Sequence, residues 1–180
     1  KKNKKNKDFL FNSKILNKAI NKNILYKFDG ISIDSKTVKK NNLFLAIKGK
    51  KNDGNEFIPQ AVKKGAKYIL TSKKHKNFKS KIIKINNPIN FLNRFANLKR
   101  KNCHAKVLAI TGSAGKTSLK NMIYSLLSYY EKTYASPKSF NNYIGVPLSL
   151  SNINLSHKYG VFEVGMSKAG EIYKLSKLIK

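Results

Sequence analysis

The sequence predicts an α/β protein, built as a small mixed α/β N-terminal domain followed by the start of a second, phosphate-loop domain. Three observations carry that expectation. Short runs rich in β-branched residues alternate with segments of helical period. A strand, a glycine loop and an amphipathic helix follow one another across residues 106–130. The 180 residues, 41% of them hydrophobic, suffice for a core in one domain or two small ones.

Residues 1–8 open the chain with "KKNKKNKD", a solvated basic tail expected to be disordered. "SKILNKAI" then sets Ile15, Leu16, Ala19 and Ile20 on one helical stripe, with Ser13 as the N-cap. "GISID" (30–34), "NLFLAI" (42–47), "KYILTS" (67–72) and "KIIKIN" (81–86) read as strands, each brief and bounded by turn formers. Between the second and third, "NEFIPQAVKKGA" reads as a helix with Pro59 in its first turn and Gly65 near its end. Phe91, Leu92, Phe95 and Leu98 keep helical spacing after Pro88, so a helix joins the two parts and the boundary falls between residues 102 and 103.

The second part, 103–180, begins with "KVLAIT" as a buried strand and "GSAG" as a loop. A helix follows from about Lys116, in which Leu119, Met122, Ile123, Leu126, Leu127 and Tyr130 repeat at i, i+3, i+4 and predict a core-facing side. "YGVFEVGM" supplies a second strand and a helix closes the chain from about Ala169. With only these elements, the sheet is expected to carry an open edge beside the "VFEVGM" strand.

Charge and composition narrow the function. Against 8 Asp+Glu stand 38 Lys+Arg, a formal charge of +30, which would ordinarily favour nucleic acid. Yet only Arg94 and Arg100 are arginines, and the lysines are spread along the chain with abundant Asn and Ile, a bias that AT-rich codons produce. A reader of phosphates or bases would use the bidentate arginine fork on one face, so no specific nucleic-acid partner is expected. Cys103 is the lone cysteine and excludes an internal disulfide or a cysteine-built zinc site. No run approaches the roughly 18 apolar residues that a membrane span needs, and none of signal-peptide length follows the basic start, so a cytoplasmic protein without membrane insertion is expected.

The chemistry concentrates in "TGSAGKTS" (111–118). Backbone N–H groups at a helix N-terminus attract polyphosphate, glycines admit it closely, a lysine neutralises its outer groups and a hydroxyl completes a magnesium shell. Gly112, Gly115, Lys116 and Thr117 supply these parts, in the short form G-x-x-G-K-[ST], because Ile110 stands where the longer loop has a further glycine. Glu163 lies inside the apolar run "VFEVGM", where a carboxylate either faces solvent or is compensated by a cation or hydrogen bonds, and with the loop on a neighbouring strand a magnesium role is expected.

These residues resemble the Mur ligases, ATP-dependent amide-forming enzymes of peptidoglycan precursor synthesis, whose ATP loop has the short T-G-x-x-G-K-[ST] form. Three further stretches carry the resemblance: "SFNNYIGVPLSL" (139–150), "FEVGMSKAGEI" (162–172) and residues 31–70. The asparagine pair before Gly145-Val146-Pro147 points to the branch that joins D-alanyl-D-alanine to UDP-N-acetylmuramoyl-tripeptide, where the branch adding the third amino acid usually shows Thr-Thr-Pro.

The resemblance implies that Gly112, Ser113, Ala114, Gly115, Lys116, Thr117 and Ser118 wrap the phosphates of ATP, with Thr117 and Glu163 on Mg2+ and Lys116 and Glu163 catalytic. It further implies that Asn141 and Asn142 line the space next to the γ-phosphate, and that Ser35 and Lys36 in an N-terminal domain (9–102) face the uridine diphosphate. ATP would phosphorylate the terminal carboxylate of the substrate, and the D-alanyl-D-alanine amine would attack the acyl phosphate. Departures occur at Lys36, where arginine is common, at Asn41 and Asn42 in place of a Gly-Asp pair, and at Asn55 in place of a frequent histidine. The second part would be the start of a P-loop ATPase-type central domain, incomplete and without the C-terminal domain, in a fragment that lacks turnover alone and belongs to a monomer at full length. Two alternatives stay open: another Mur-type ligase, or a basic nucleic-acid-binding module with a non-catalytic loop.

Overall fold

The computed structural model describes residues 2–138, 140–165 and 169–180. Residues 139 and 166–168, inside two of the stretches that carry the family resemblance, lie outside the described residues. The chain divides into two compact units, residues 1–91 and 92–180.

The first unit opens with α1 (Lys2–Ile20), so the basic stretch expected to be a disordered tail continues a helix instead. Once the apolar stripe has nucleated the helix, each added residue gains a hydrogen bond, and "KNKKNKD" contains no glycine or proline to stop it. Ile15, Leu16 and Ala19 are buried as the stripe predicts. Ser13 is not an N-cap: it is buried mid-helix, where its Oγ donates to the Ile24 carbonyl (3.2 Å) and accepts from the Tyr26 N–H (2.9 Å). Its hydroxyl fastens the return segment to the helix.

The sheet of this unit is all parallel in the order β1 (Ile31–Ser32), β2 (Leu43–Leu45), β3 (Tyr68–Thr71), β4 (Ile82–Lys84). Leu43 pairs with Ile31 on one side and Tyr68 on the other, and Ile69 pairs with Ile82. Being central, β2 is buried throughout, as expected of an uninterrupted apolar run in a parallel sheet. A 3₁₀ turn (Gly54–Phe57), capped by Asp53, leads into α2 (Ile58–Lys63), with Pro59 in its first turn. Val38, Phe44, Ala46, Ile58, Ala61, Ala66 and Ile69 form one core cluster. Each large member contributes about 1.5–3 kcal/mol by leaving water.

Helix α3 (Pro88–Lys101) ends in Lys99, Arg100 and Lys101, charges that suit a helix C-terminus. The break between units falls inside it and not after residue 102. Its later turns are tied to the second unit by packing: Ala96 joins that core, Lys99 Nζ donates to Asn154 Oδ1 (3.0 Å), and Arg100 Nε donates to the Ile179 carbonyl (2.5 Å).

The second unit has a parallel sheet in the order β5 (Lys106–Ile110), β7 (Tyr159–Glu163), β6 (Thr133–Ala135). Helices α4 (Lys116–Tyr130), α5 (Gly145–Ser151) and α6 (Glu171–Ile179) accompany it. Neither β6 nor α5 was evident from the sequence. Their presence corrects the expected edge, because β7 is the central strand and β5 and β6 are the edges. The core holds Ala96, Cys103, Ala105, Val146, Leu150, Ile153, Phe162, Val164, Leu175 and Ile179.

Two further expectations fail here for one reason. Strand β5 is not buried, since Lys106, Leu108 and Ala109 are exposed. On α4 the residues expected to face the core are largely in solvent, with Leu119 48%, Met122 70%, Leu126 62% and Tyr130 71% exposed. Lys120 is the one buried residue of that helix. Apolar periodicity reports that a helix has a face to cover, but coverage depends on what packs there, and β5 is an edge.

Candidate active site

Register creates the site. Strands β5 and β7 run parallel with Ile110 opposite Glu163, so the loop leaving β5 starts beside the carboxylate that ends β7. Gly112 and Gly115 have φ of +151° and +72°, values open to glycine and strained for other residues, and they turn the chain into α4 at Lys116. Loop residues 111–115 and Ser118 are exposed, which leaves Gly112, Ser113, Ala114 and Gly115 accessible ahead of the helix N-terminus. Lys116 folds over the loop, its Nζ donating to the carbonyls of Gly112 (2.7 Å) and Ser113 (3.3 Å).

Glu163 is 2% exposed and is the hub. Thr117 Oγ1 donates to its Oε2 at 2.7 Å, and Asn141 Nδ2 donates to its Oε1 at 2.8 Å. Its backbone N–H donates to Ser136 Oγ (3.1 Å), which fixes the strand end. Lys120, equally buried, places Nζ 3.7 Å from Oε2. Burial pushes the Glu163 carboxyl up, but hydrogen bonds from Thr117 and Asn141, then the charges of Lys120 and Lys116, outweigh it and hold the group below its ordinary value. The carboxylate is therefore ionised inside the protein. The solvent-facing reading of Glu163 fails, since the side chain is buried and is compensated by hydrogen bonds from Thr117 and Asn141 and by the Lys120 ammonium.

The asparagine pair divides. Asn141 joins the hub, and Gly165 lies so close that a Cβ there would stand 2.9 Å from the Asn141 side chain. Asn142 Oδ1 instead accepts from the N–H groups of Ile144 (3.1 Å) and Gly145 (2.9 Å), shaping the entry to α5. Ser35 and Lys36 belong to the first unit. Ser35 is buried with its Oγ donating to Gln60 Oε1 (2.5 Å), while Lys36 is exposed and its N–H donates to Asp34 Oδ1 (2.8 Å).

Sequence reasoning missed Lys120, Ser136 and a polar cluster in the first unit. In that cluster Asn55 Oδ1 accepts from Thr71 Oγ1 (2.5 Å) and lies 3.3 Å from His75 Nε2. Asp53 pairs with Lys73 at 2.6 Å. The one available signal for Lys120 was its i+4 spacing from Lys116, which puts both on one side of α4.

As a donor set, a threonine hydroxyl and a single carboxylate suit Mg2+, a hard cation that takes one or two carboxylates and completes its shell with water and substrate phosphates. Among the described residues no group of three or more His, Cys, Asp or Glu could hold a metal by itself. Nor is any described helix long and apolar enough to cross a membrane.

A parallel strand, a glycine loop with a lysine folded over it, a helix and a carboxylate on the adjacent strand thus meet at one end of an α/β unit. The model of the Mur ligase middle domain matches residues 110–180, and that of the Mur ligase family catalytic domain matches residues 27–100. The chain belongs to the Mur ligase family. Among curated relatives, the UDP-N-acetylmuramoyl-tripeptide--D-alanyl-D-alanine ligase of Rickettsia prowazekii is 39% identical over 95% of this chain and 38% of its own length. The enzyme of the same name from Buchnera aphidicola of Acyrthosiphon pisum is 43% identical over 82% of this chain and 32% of its own.

Solved structures agree. MurF from Acinetobacter baumannii superposes with a TM-score of 0.75 at 28% identity, covering 93% of this chain and 38% of that one. MurF ligase from Thermotoga maritima in complex with ADP gives 0.64 at 32% identity, covering 83% and 35%. The chain thus spans about two fifths or less of the relatives it matches.

Proposed function

We propose that this chain is the ATP- and UDP-substrate-binding portion of a ligase that joins D-alanyl-D-alanine to UDP-N-acetylmuramoyl-tripeptide. The observation that carries the reading is the convergence of Thr117 and Asn141 on the buried Glu163 beside the loop of Lys116. The names of the relatives and the ADP complex of the Thermotoga maritima enzyme support it.

Residues 112–118 would wrap the ATP phosphates, with Lys116 on the transferring group. Lys116 would exchange the Gly112 and Ser113 carbonyls for phosphate oxygens, a stronger, charge-assisted contact. Thr117 and Glu163 would hold Mg2+, which when bound neutralises charge on the transferring phosphoryl group. Asn141 fixes the Glu163 carboxylate; Asn142 would act on nucleotide only through the turn it shapes. Ser35 and Lys36, in a UDP-substrate domain, would face the uridine diphosphate, Ser35 by giving up its contact to Gln60. The enzyme would work in the cytoplasm, as a monomer at full length.

The test is calorimetric binding of a non-hydrolysable ATP analogue to this chain and to Lys116→Ala, with and without magnesium, at low and moderate salt. Binding that needs both magnesium and Lys116 and persists at moderate salt is expected. Binding indifferent to the substitution and lost with salt would mean that the chain's +30 charge alone attracts the nucleotide, and would overturn the reading.

A further inference from the structure

Lys120 is buried to 2% exposure. An ammonium in that position needs a compelling partner, since an unpaired buried charge is costly. It donates to the Lys138 carbonyl at 2.6 Å, and the Glu163 carboxylate lies 3.7 Å away. That second distance exceeds the roughly 2.7–2.9 Å of a charge-assisted hydrogen bond. Lys120 therefore balances the charge of Glu163 without occupying either of its oxygens.

Both oxygens are held by neutral donors, the Thr117 hydroxyl and the Asn141 amide. A hydroxyl can rotate to present its lone pairs, so such a donor can yield to a cation. A lysine pinned to a backbone carbonyl cannot. In consequence the carboxylate and the fixed ammonium sum to zero, and a divalent ion arriving alone meets little net attraction. One arriving with polyphosphate brings its own negative partner.

The geometry points to Lys120 as a positioning residue that acts through Glu163: its fixed cation makes retention of a divalent metal at Thr117 and Glu163 conditional on nucleotide phosphates. This rests on the proposed metal role of those two residues. It goes beyond that role in giving Lys120 a function of defined sign: removing the cation should strengthen metal binding where removing a merely structural contact would weaken it.

The experiment titrates Mn2+ alone into the nucleotide-free 180-residue chain, reading the free ion by electron paramagnetic resonance. Lys120→Met removes charge and donor, Lys120→Gln keeps a neutral donor for the Lys138 carbonyl, and Lys120→Arg keeps the charge; circular dichroism reports folding of each. Nucleotide-free Mn2+ affinity is expected to rise roughly tenfold in the Met and Gln variants, to stay within about twofold in the Arg variant, and to fall back when Glu163→Gln is added to Lys120→Gln. Native-like Gln protein that binds Mn2+ no better than the parent, or an Arg variant that gains as much as Gln, would overturn the inference. The underlying reading fails separately: if Mn2+ binding in the presence of the ATP analogue is indifferent to Glu163→Gln in the parent chain, the metal site itself falls, and the role of Lys120 with it.

Discussion

Substituting Glu163→Gln tests whether the buried charge pair is a single energetic unit. Glu163 and Lys120 are each 2% exposed and 3.7 Å apart. At an effective dielectric of about 20, their attraction is on the order of 4 kcal/mol. Removing one partner of such a pair costs about 3–5 kcal/mol, because the other is left buried and uncompensated. The Lys138 carbonyl keeps one ammonium donor satisfied, so the loss is expected near the lower figure, about 3 kcal/mol.

The double variant Lys120→Met with Glu163→Gln removes both charges and should be destabilised by clearly less than the sum of the single variants, leaving a coupling of about 2 kcal/mol. Hydrogen exchange by mass spectrometry over β7 gives the local opening free energy without assuming that the two units unfold together. Strict additivity of the two substitutions would refute the reasoning, for it would show that water already screens the pair.

Two other consequences are independent of that pair. Lys73, with the side chain and backbone of Asn55, holds the Asp53 carboxyl well below the usual carboxylate range. The unfolded chain therefore takes up that proton first, and the stabilisation is complete above a pH of about 4 and lost progressively below it. Thermal melting of the parent should accordingly fall more steeply with acid than that of Asp53→Asn; parallel profiles would refute the link. On α4, Leu126 is 62% exposed, so Leu126→Gln should change stability by no more than about 0.5 kcal/mol in urea unfolding, whereas a loss of about 2 kcal/mol or more would mean that this face is packed after all.

Much of this fold was legible because its signals are local. Each of the four strand runs of the first unit contains a strand, and Pro88 followed by the Phe91, Leu92, Phe95 spacing gives α3. Capping misled at Ser13, since a serine ahead of an apolar stripe looks the same whether its hydroxyl caps a helix or ties down the segment that returns along it. The three residues of β6 were too few for any periodicity to announce them. Those omissions put the sheet edge in the wrong place.

By itself the sequence determined the loop: Gly112, Gly115, Lys116 and Thr117 work through backbone conformation and a helix end, which depend on residues a few positions apart. It also determined the family, because several such segments occur in order. Only the tertiary structure decided that Glu163 meets Thr117, that Asn141 and Asn142 have different duties, that Lys120 is an interior cation, and that the apolar side of α4 lies in solvent. The physical reason is shared by all four. Side-chain period assigns a residue to a face, but the partner of that face, and hence burial and the electrostatics that follow from it, is set by strand register between segments about fifty residues apart, here Ile110 against Glu163.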